Sequence, residues 1–276
     1  MIHVNEIPLD FEPRIKILPK IPAVPDEPEM SEFESAFLCG ALKTFPPKKI
    51  LEVGVAGGAT TAIILQALED LGEPYEMYSV DVAEKFYRCD SLQTGFMAMF
   101  AKEKILGELR GIHKFHLGKI LPQVLDKIGG GIDFVILDTM HILPGEVLDF
   151  IAILPYLKVG AVVVLHDVSY HQIKNSSAAA TGALFSAVTA EKFLNFDEQA
   201  LFRYPNIAAF KVNQQTVDNI DNVFLTLILC WKYLPPEEQI VTYRRLYRRF
   251  YPVELCEIFQ EAIDMNGYNF CLAGRK

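Results

Sequence analysis

Ile50-Leu-Glu-Val-Gly-Val-Ala-Gly-Gly-Ala-Thr-Thr61 joins an apolar strand, a glycine-rich turn and the start of a helix without a break. Lys49 to Val53 supply the strand, and Gly54, Gly57 and Gly58 let backbone approach a ligand closely. Ala59 to Leu71 continue as a helix whose first amide groups aim at whatever the turn holds. The segment reads as a loop for a nucleotide-type cofactor at the end of a buried strand. Its spacing narrows the choice. A dinucleotide turn asks for G-x-G-x-x-G, and Ala56 stands where the second glycine belongs. No Lys-Ser or Lys-Thr follows the glycines, so a phosphate-binding P-loop is excluded. What remains is E-x-G-x-x-x-G-x-T-T, with Glu52 inside the strand end.

Composition frames that loop. A chain of 276 residues, 51% of them hydrophobic, can bury one large core or one core with a smaller appendage. Five cysteines, Cys39, Cys89, Cys230, Cys256 and Cys271, show no close pairing, which points to a reducing compartment rather than a disulfide framework. No signal peptide opens the sequence, and the apolar run from Val223 to Trp231 falls far short of the roughly 20 residues that span a bilayer. A cytoplasmic protein without a membrane partner is the expectation. A formal net charge of −9 repels phosphate backbones, so nucleic acid is not an expected partner and a small-molecule acceptor is.

Along the chain, residues 1–30 hold Pro8, Pro13, Pro19, Pro22, Pro25 and Pro28, too many for regular structure. They form an extended arm whose Ile15, Ile17, Leu18 and Ile21 need something to pack on. Ser31 caps a helix running to Lys43, with Glu34 at the capping-box position. From Lys49 the pattern alternates: strand, helix, strand to Asp81, helix around Ser91 to Gly107, strand Lys114 to Leu117. Helix Leu121 to Ile128, strand Asp133 to Leu137, helix Glu146 to Tyr156 and strand Ala161 to Leu165 follow. Such alternation predicts an α/β fold, doubly wound, with a mostly parallel Rossmann-like sheet and helices on both faces. Phe202 to Tyr204 and Asn206 to Val212 are read as a closing hairpin. The domain plan is an arm over 1–30, a cofactor-binding domain over 31–213 and a C-terminal helical extension over 214–276, with helices about Val217 to Leu234 and Glu237 to Arg249.

Two successive strands end in acid and imidazole groups, Val135-Ile-Leu-Asp138-Thr-Met-His141 and Val162-Val-Val-Leu-His166-Asp167. In open α/β sheets the ligand lies at the carboxyl ends of the strands, so both clusters face one cleft. Taken singly, each of the four could cap a turn or sit satisfied at the surface. Four at neighbouring strand ends argue for a site.

On Glu52, the spaced glycines, Thr60 and Thr61, the chain resembles the class I S-adenosylmethionine-dependent methyltransferases. In that family the glycines pass under the methionine part of the cofactor, and the acid ending the next strand holds the ribose hydroxyls. Here that strand is Tyr75 to Val80 and the acid is Asp81, whose carboxylate is suited to accept two hydroxyl protons. The later segments, Asp138-x-x-His141, Leu154-Pro-Tyr-Leu-Lys-Val-Gly-Ala161 and His166-Asp-Val168, look like the branch that includes macrolide-sugar O-methyltransferases and cephalosporin-hydroxylase-like proteins. The resemblance covers about residues 48–170. It implies S-adenosylmethionine as cofactor, held by Glu52, Gly54, Val55, Gly57, Gly58, Thr60, Thr61, Asp81, Gly118, Lys119 and Asp138. It implies His141 as general base, with His166 and Asp167 beside it, and Asp138 and Asp167 as ligands of Mg2+. Two positions depart from the family pattern. His166 replaces the first acid of the later pair, although Mg2+ prefers oxygen ligands. Lys119 follows Gly118 where the family has Asp or Ser.

A sulfonium methyl is already activated, so the enzyme must chiefly align an acceptor oxygen with it and take that oxygen's proton. An imidazole near its ordinary pKa of about 6.5 can do so at neutral pH. The resemblance therefore implies an O-methyltransferase acting on a hydroxyl of a sugar or secondary-metabolite-like small molecule. Two alternatives stand beside it: a cofactor-binding homologue without activity, acting as partner or regulatory subunit, and a Rossmann-like oxidoreductase, which Ala56 disfavours. Arg244, Arg245, Arg248 and Arg249 make a basic stripe, read as a solvated or salt-bridged face, with phosphate recognition as the minority reading. Phe224, Leu227, Ile228 and Trp231 make an apolar face that needs covering, by the core or by a second copy in a homodimer.

Overall fold

The computed structural model describes residues 4–12, 30–173, 177–196 and 205–273. The elements begin with α1 (Glu32–Thr44), β1 (Lys49–Val53), α2 (Ala59–Leu71) and β2 (Glu76–Asp81). A short hairpin, β3 (Lys85–Phe86) and β4 (Cys89–Gln93), precedes α3 (Phe96–Ala101) and β5 (Ile112–Leu117). Next come α4 (Leu125–Ile128), β6 (Ile132–Leu137), α5 (Gly145–Ile153), β7 (Leu157–His166), α6 (Tyr170–Ile173) and α7 (Ala180–Ala187). The chain closes with β8 (Glu191–Phe193), β9 (Ile207–Lys211), α8 (Gln214–Asp218), α9 (Asp221–Leu225), α10 (Glu237–Phe250) and α11 (Val253–Ala273).

Seven strands form one sheet in the order β5-β2-β1-β6-β7-β9-β8. The pairs from β5 to β7 are parallel, and β9 runs antiparallel to both β7 and β8. The strand order reverses between β1 and β6, which places the cleft of an open sheet at the ends of those two strands. Alternation divides the core. Ile50, Phe134, Ile136, Val162 and Val164 face α1 and α2, while Leu51, Val53, Val135, Leu137, Val163 and Leu165 face α5 and the C-terminal helices. Both sets are fully or almost fully buried, as parallel strands covered on two sides must be.

The expected α/β fold is therefore present, and the differences are local. The helix expected over 91–107 gives up its first part to β4, which pairs with β3, and Gly95 at φ 80° starts the shorter α3. After Ala101 the chain widens into a π-helical turn, Lys102–Leu106, that ends at Gly107. The expected helix over 217–234 breaks into α8, α9 and a 3-10 turn. Polar side chains bonding back to the main chain cause this, with Asn219 donating to the Gln215 carbonyl at 2.8 Å and Thr226 to that of Val223 at 2.7 Å. The helices expected over 121–128 and 146–156 each include a 3-10 turn, and α11 was not anticipated.

Phe224, Leu227 and Trp231 are buried against Phe259, Ala262 and Ile263 of α11, and the Trp231 amide donates to Asn266 at 2.8 Å, so the chain covers that face itself. Ile228 remains half exposed. In the arginine stripe, Arg249 pairs with both Asp126 oxygens at 2.8 Å, a salt-bridged contact at the surface. In the arm, Asn5 bridges to Phe193, and Ile7 exchanges two hydrogen bonds with the Asn195 side chain at 2.9 and 2.7 Å. Ile15, Ile17, Leu18 and Ile21 lie outside the described residues, as do Phe202 to Tyr204; the partner strand of β9 within the described residues is β8. No described helix is long and apolar enough to cross a membrane.

Candidate active site

The glycine loop continues the strand ladders beyond their ends. Gly54 donates to the Val80 carbonyl at 2.9 Å, and Asp138 donates to that of Val53 at 2.9 Å. Gly54 has φ 93°, and a Cβ built there would lie 1.7 Å from the Asp138 carbonyl oxygen, so only glycine lets β1 and β6 finish this close together. Ala56 is held at φ 48°, a left-handed conformation that alanine rarely adopts. What holds it is Asp81: one carboxylate oxygen accepts from the amides of Val55 at 2.8 Å and Ala56 at 3.1 Å, and the other from Ala83 at 2.8 Å. A carboxylate accepts about four hydrogen bonds, so Asp81 retains capacity for a ligand hydroxyl.

A cavity of about 1140 Å³ opens above the loop. Of the residues assigned to the cofactor, Gly54, Val55, Thr60, Asp81, Lys119 and Asp138 line it. Glu52 and Thr61 lie fully buried beneath, where the Thr61 hydroxyl meets the two carboxylate oxygens at 3.0 and 2.8 Å and fastens α2 to the end of β1. Gly57 and Gly58 turn toward α3 instead: the Gly57 carbonyl accepts from Met97 at 2.9 Å, and Gly58, at φ 86°, packs on Gly95. Gly118 packs against the Glu84 side chain.

The two strand-end clusters meet on the cavity wall as expected. His166 Nδ1 stands 3.0 Å from Asp138 Oδ1, and His141 Nε2 stands 3.0 Å from Asp167 Oδ2. His141 and Asp167 have φ of 61° and 60°, so both side chains are presented from left-handed backbone, the kind of local strain that accumulates at functional sites. Glu146 holds the first of these turns, its Oε1 accepting from the His141 amide at 2.7 Å and the Thr139 hydroxyl at 2.9 Å. Asn206 donates to Asp167 Oδ1, and the Thr181 hydroxyl donates to the Asp167 carbonyl at 2.7 Å. Glu34 completes the set: one oxygen closes the capping box on the Ser31 amide at 2.6 Å, while the other faces His166 Nε2 at 3.4 Å.

Charge follows this geometry. Burial would lower the pKa of His141, but its hydrogen bonds to Asp167 and Glu146 and the nearby charges of Asp138 and Glu146 outweigh it and push the imidazole up to about 10. Burial likewise disfavours charge on His166, and Asp138, Glu34 and Asp167 hold it well above the ordinary range. Glu34 and Asp167 are pulled down by the same imidazoles against the upward push of burial. The site is a lattice of carboxylates and imidazolium groups rather than a neutral imidazole at its ordinary pKa.

Asp138, His141 and Asp167 bring one ligand atom each within 4.8 Å of one another. The set offers two carboxylates and a nitrogen, and Asp138 already accepts from His166. Mg2+ takes near-octahedral oxygen coordination and fits this set poorly; a mixed N/O set suits ions that accept imidazole.

Sequence reasoning missed Glu146, Asp149, Tyr233 and Tyr243, of which the last three line the cavity. A signal for two of them was present. Gly145-Glu-Val-Leu-Asp-Phe-Ile-Ala-Ile153 is buried throughout, and Glu146 and Asp149 are the charged residues in it.

Residues 51–168 match a family model described as a methyltransferase domain. No curated protein sequence is similar to the chain. Among solved structures, the chain is similar to the O-methyltransferase TomG from Streptomyces achromogenes, involved in tomaymycin synthesis and in complex with S-adenosylmethionine, at 19% identity over 72% of this chain and 92% of that one, TM-score 0.49. It is also similar to an O-methyltransferase from Bacillus cereus in complex with S-adenosylhomocysteine, at 15% identity over 69% of this chain and 84% of that one, TM-score 0.47. A third is the methyltransferase PaMTH1 from Podospora anserina, bound to S-adenosylhomocysteine, at 14% identity over 69% and 83%, TM-score 0.47. The glycine loop on β1, Asp81, Asp138, His141 and the His166–Asp167 pair all fall within residues 51–168, the segment that the methyltransferase-domain model matches.

Proposed function

We propose that the chain transfers a methyl group from S-adenosylmethionine to a hydroxyl of a small molecule held in the same cavity, a sugar or secondary-metabolite-like acceptor. The observation that carries this reading is the opening of the glycine loop, Asp81 and both imidazole–carboxylate pairs into one cavity. The donor brings an activated methyl on a sulfonium; the chain must place an oxygen in line with it and receive a proton. Val55, Ala56 and Asp81 form the cofactor end. His141 is the base in this reading, oriented by Asp167 on Nε2 and by Glu146 near Nδ1 at 3.4 Å. It must be neutral to act. The carboxylates that keep it charged also attract a cationic donor, and positive charge placed among them lowers the proton affinity of His141.

The donors of Asp138, His141 and Asp167 are a poor match for Mg2+. Turnover is expected to persist in EDTA, and loss that Mg2+ restores would reinstate the ion. His141→Ala tests the base directly: the rate should fall by roughly 10²–10⁴, while S-adenosylhomocysteine affinity measured by calorimetry stays unchanged. Unaltered turnover would remove His141 from the mechanism, and absence of cofactor binding by the wild type would overturn the whole reading.

A further inference from the structure

Besides the imidazoles the cavity wall includes Asp149 from α5 and, from the C-terminal segment, Tyr233 and Tyr243. Asp149 is 7% exposed. Its Oδ1 accepts from the Tyr243 hydroxyl at 2.6 Å, and among the described residues Oδ2 has no hydrogen-bond or ion-pair partner. Glu146, one helical turn earlier on the same face, is fully buried, and its Oε2 is an orphan acceptor. Burial, and then the charges of Asp149 and Glu146, raise the Tyr233 phenol well above the ordinary range. Glu34, Asp138 and Asp167 each face an imidazole, and Glu146 reaches His141 through Oε1. Asp149 faces none. Buried carboxylates are ordinarily paired with a cation, so this end of the cavity holds negative charge that the described residues leave unbalanced.

We propose that Asp149, Glu146 and Tyr233 form a subsite for a protonated amine of the acceptor, so that the substrate class is a hydroxylated amine. This rests on the cavity holding the acceptor, as argued above. Ammonium N–H groups would donate to Asp149 Oδ2, the tyrosine offers an oxygen acceptor and a ring face that attracts cations, and the orphaned Glu146 oxygen adds field from beneath. Burial and the Glu146 charge push the Asp149 carboxyl up to about 7, in the direction expected of an acid that lacks its counter-ion.

The test titrates the full chain with tyramine and with 4-ethylphenol, a pair differing in the amine, followed by ligand-observed NMR with and without S-adenosylhomocysteine. Wild type should bind tyramine about tenfold or more tightly than 4-ethylphenol. Asp149→Asn, which keeps an acceptor for Tyr243, should erase that preference and leave S-adenosylhomocysteine affinity unchanged. Tyr233→Phe, which leaves Asp149 and Tyr243 untouched, should weaken tyramine about threefold and not 4-ethylphenol, and it serves if the first variant fails to fold. Equal affinity for both probes, binding of neither, or a preference that survives both substitutions overturns the subsite. S-adenosylhomocysteine binding without an amine preference removes the subsite alone; an amine preference without cofactor binding removes the methyl-transfer reading alone.

Discussion

Asp149 illustrates how one carboxyl can be read in two ways, as a ligand group and as a thermodynamic load. Its pKa is raised from 3.8 to about 7, first by burial and then by Glu146, against the opposing Tyr243 hydrogen bond. A raised acid pKa means that the folded chain binds more protons than the unfolded one between those two values. Its contribution to stability is therefore most favourable below pH 3.8 and declines as pH rises toward 7. Asp149→Asn removes the decline. The melting temperature of the variant relative to wild type should be higher at pH 8 than at pH 5 by roughly 2–4 °C for each kcal/mol recovered, measured by differential scanning calorimetry. An equal gap at the two pH values would mean that the buried carboxyl does not resist ionisation.

Between elements, the decisive junction is the close approach of β1 and β6 at Gly54. Gly54→Ala places a methyl group on the Asp138 carbonyl and demands positive φ from alanine. The variant should lose several kcal/mol of stability, on the order of the largest single-site effects, and with it S-adenosylhomocysteine binding; urea denaturation and calorimetry would check both. The strand, glycine turn and helix could be read from the sequence, but not that Gly54 is needed against the Asp138 carbonyl rather than against a ligand, because the partner strand lies about 80 residues away. The alternating strands and helices were readable because strands covered on both faces are short continuous apolar runs, set between longer segments of helical period. The resemblance implies Glu52 and Thr61 as cofactor contacts, yet they bond to each other below the loop. Spacing along a chain reports proximity and not the side from which a group is approached. The hairpin at β3 and β4 was hidden because cross-strand pairing over so few residues leaves no periodic trace, and α11 because its apolar face faces other helices with no strand to frame it. Asp149 and Tyr233 lie far apart in sequence, and only packing shows that they share a wall.

Across the molecule, α10 is fastened to α5 by Tyr243, Tyr247 and Tyr251, whose hydroxyls donate to Asp149 and to the carbonyls of Leu148 at 2.7 Å and Ile151 at 2.6 Å. The C-terminal helices therefore share the core of the sheet, and Tyr247 is completely buried in it. Tyr247→Ala should cost about 3–5 kcal/mol, and Tyr247→Phe about 1 kcal/mol, in equilibrium urea unfolding; a near-neutral alanine variant would show that α10 is an appendage. At the opposite side of the cavity, Glu34 divides its two oxygens between the first turn of α1 and the imidazole of His166. Fraying of that turn and loss of a counter-charge at the sheet's rim are consequently a single event. A helix whose evident task is to cover the sheet thus also acts as an electrical ground for the site, and the order of the chain around residue 31 and the charge state at residue 166 vary together.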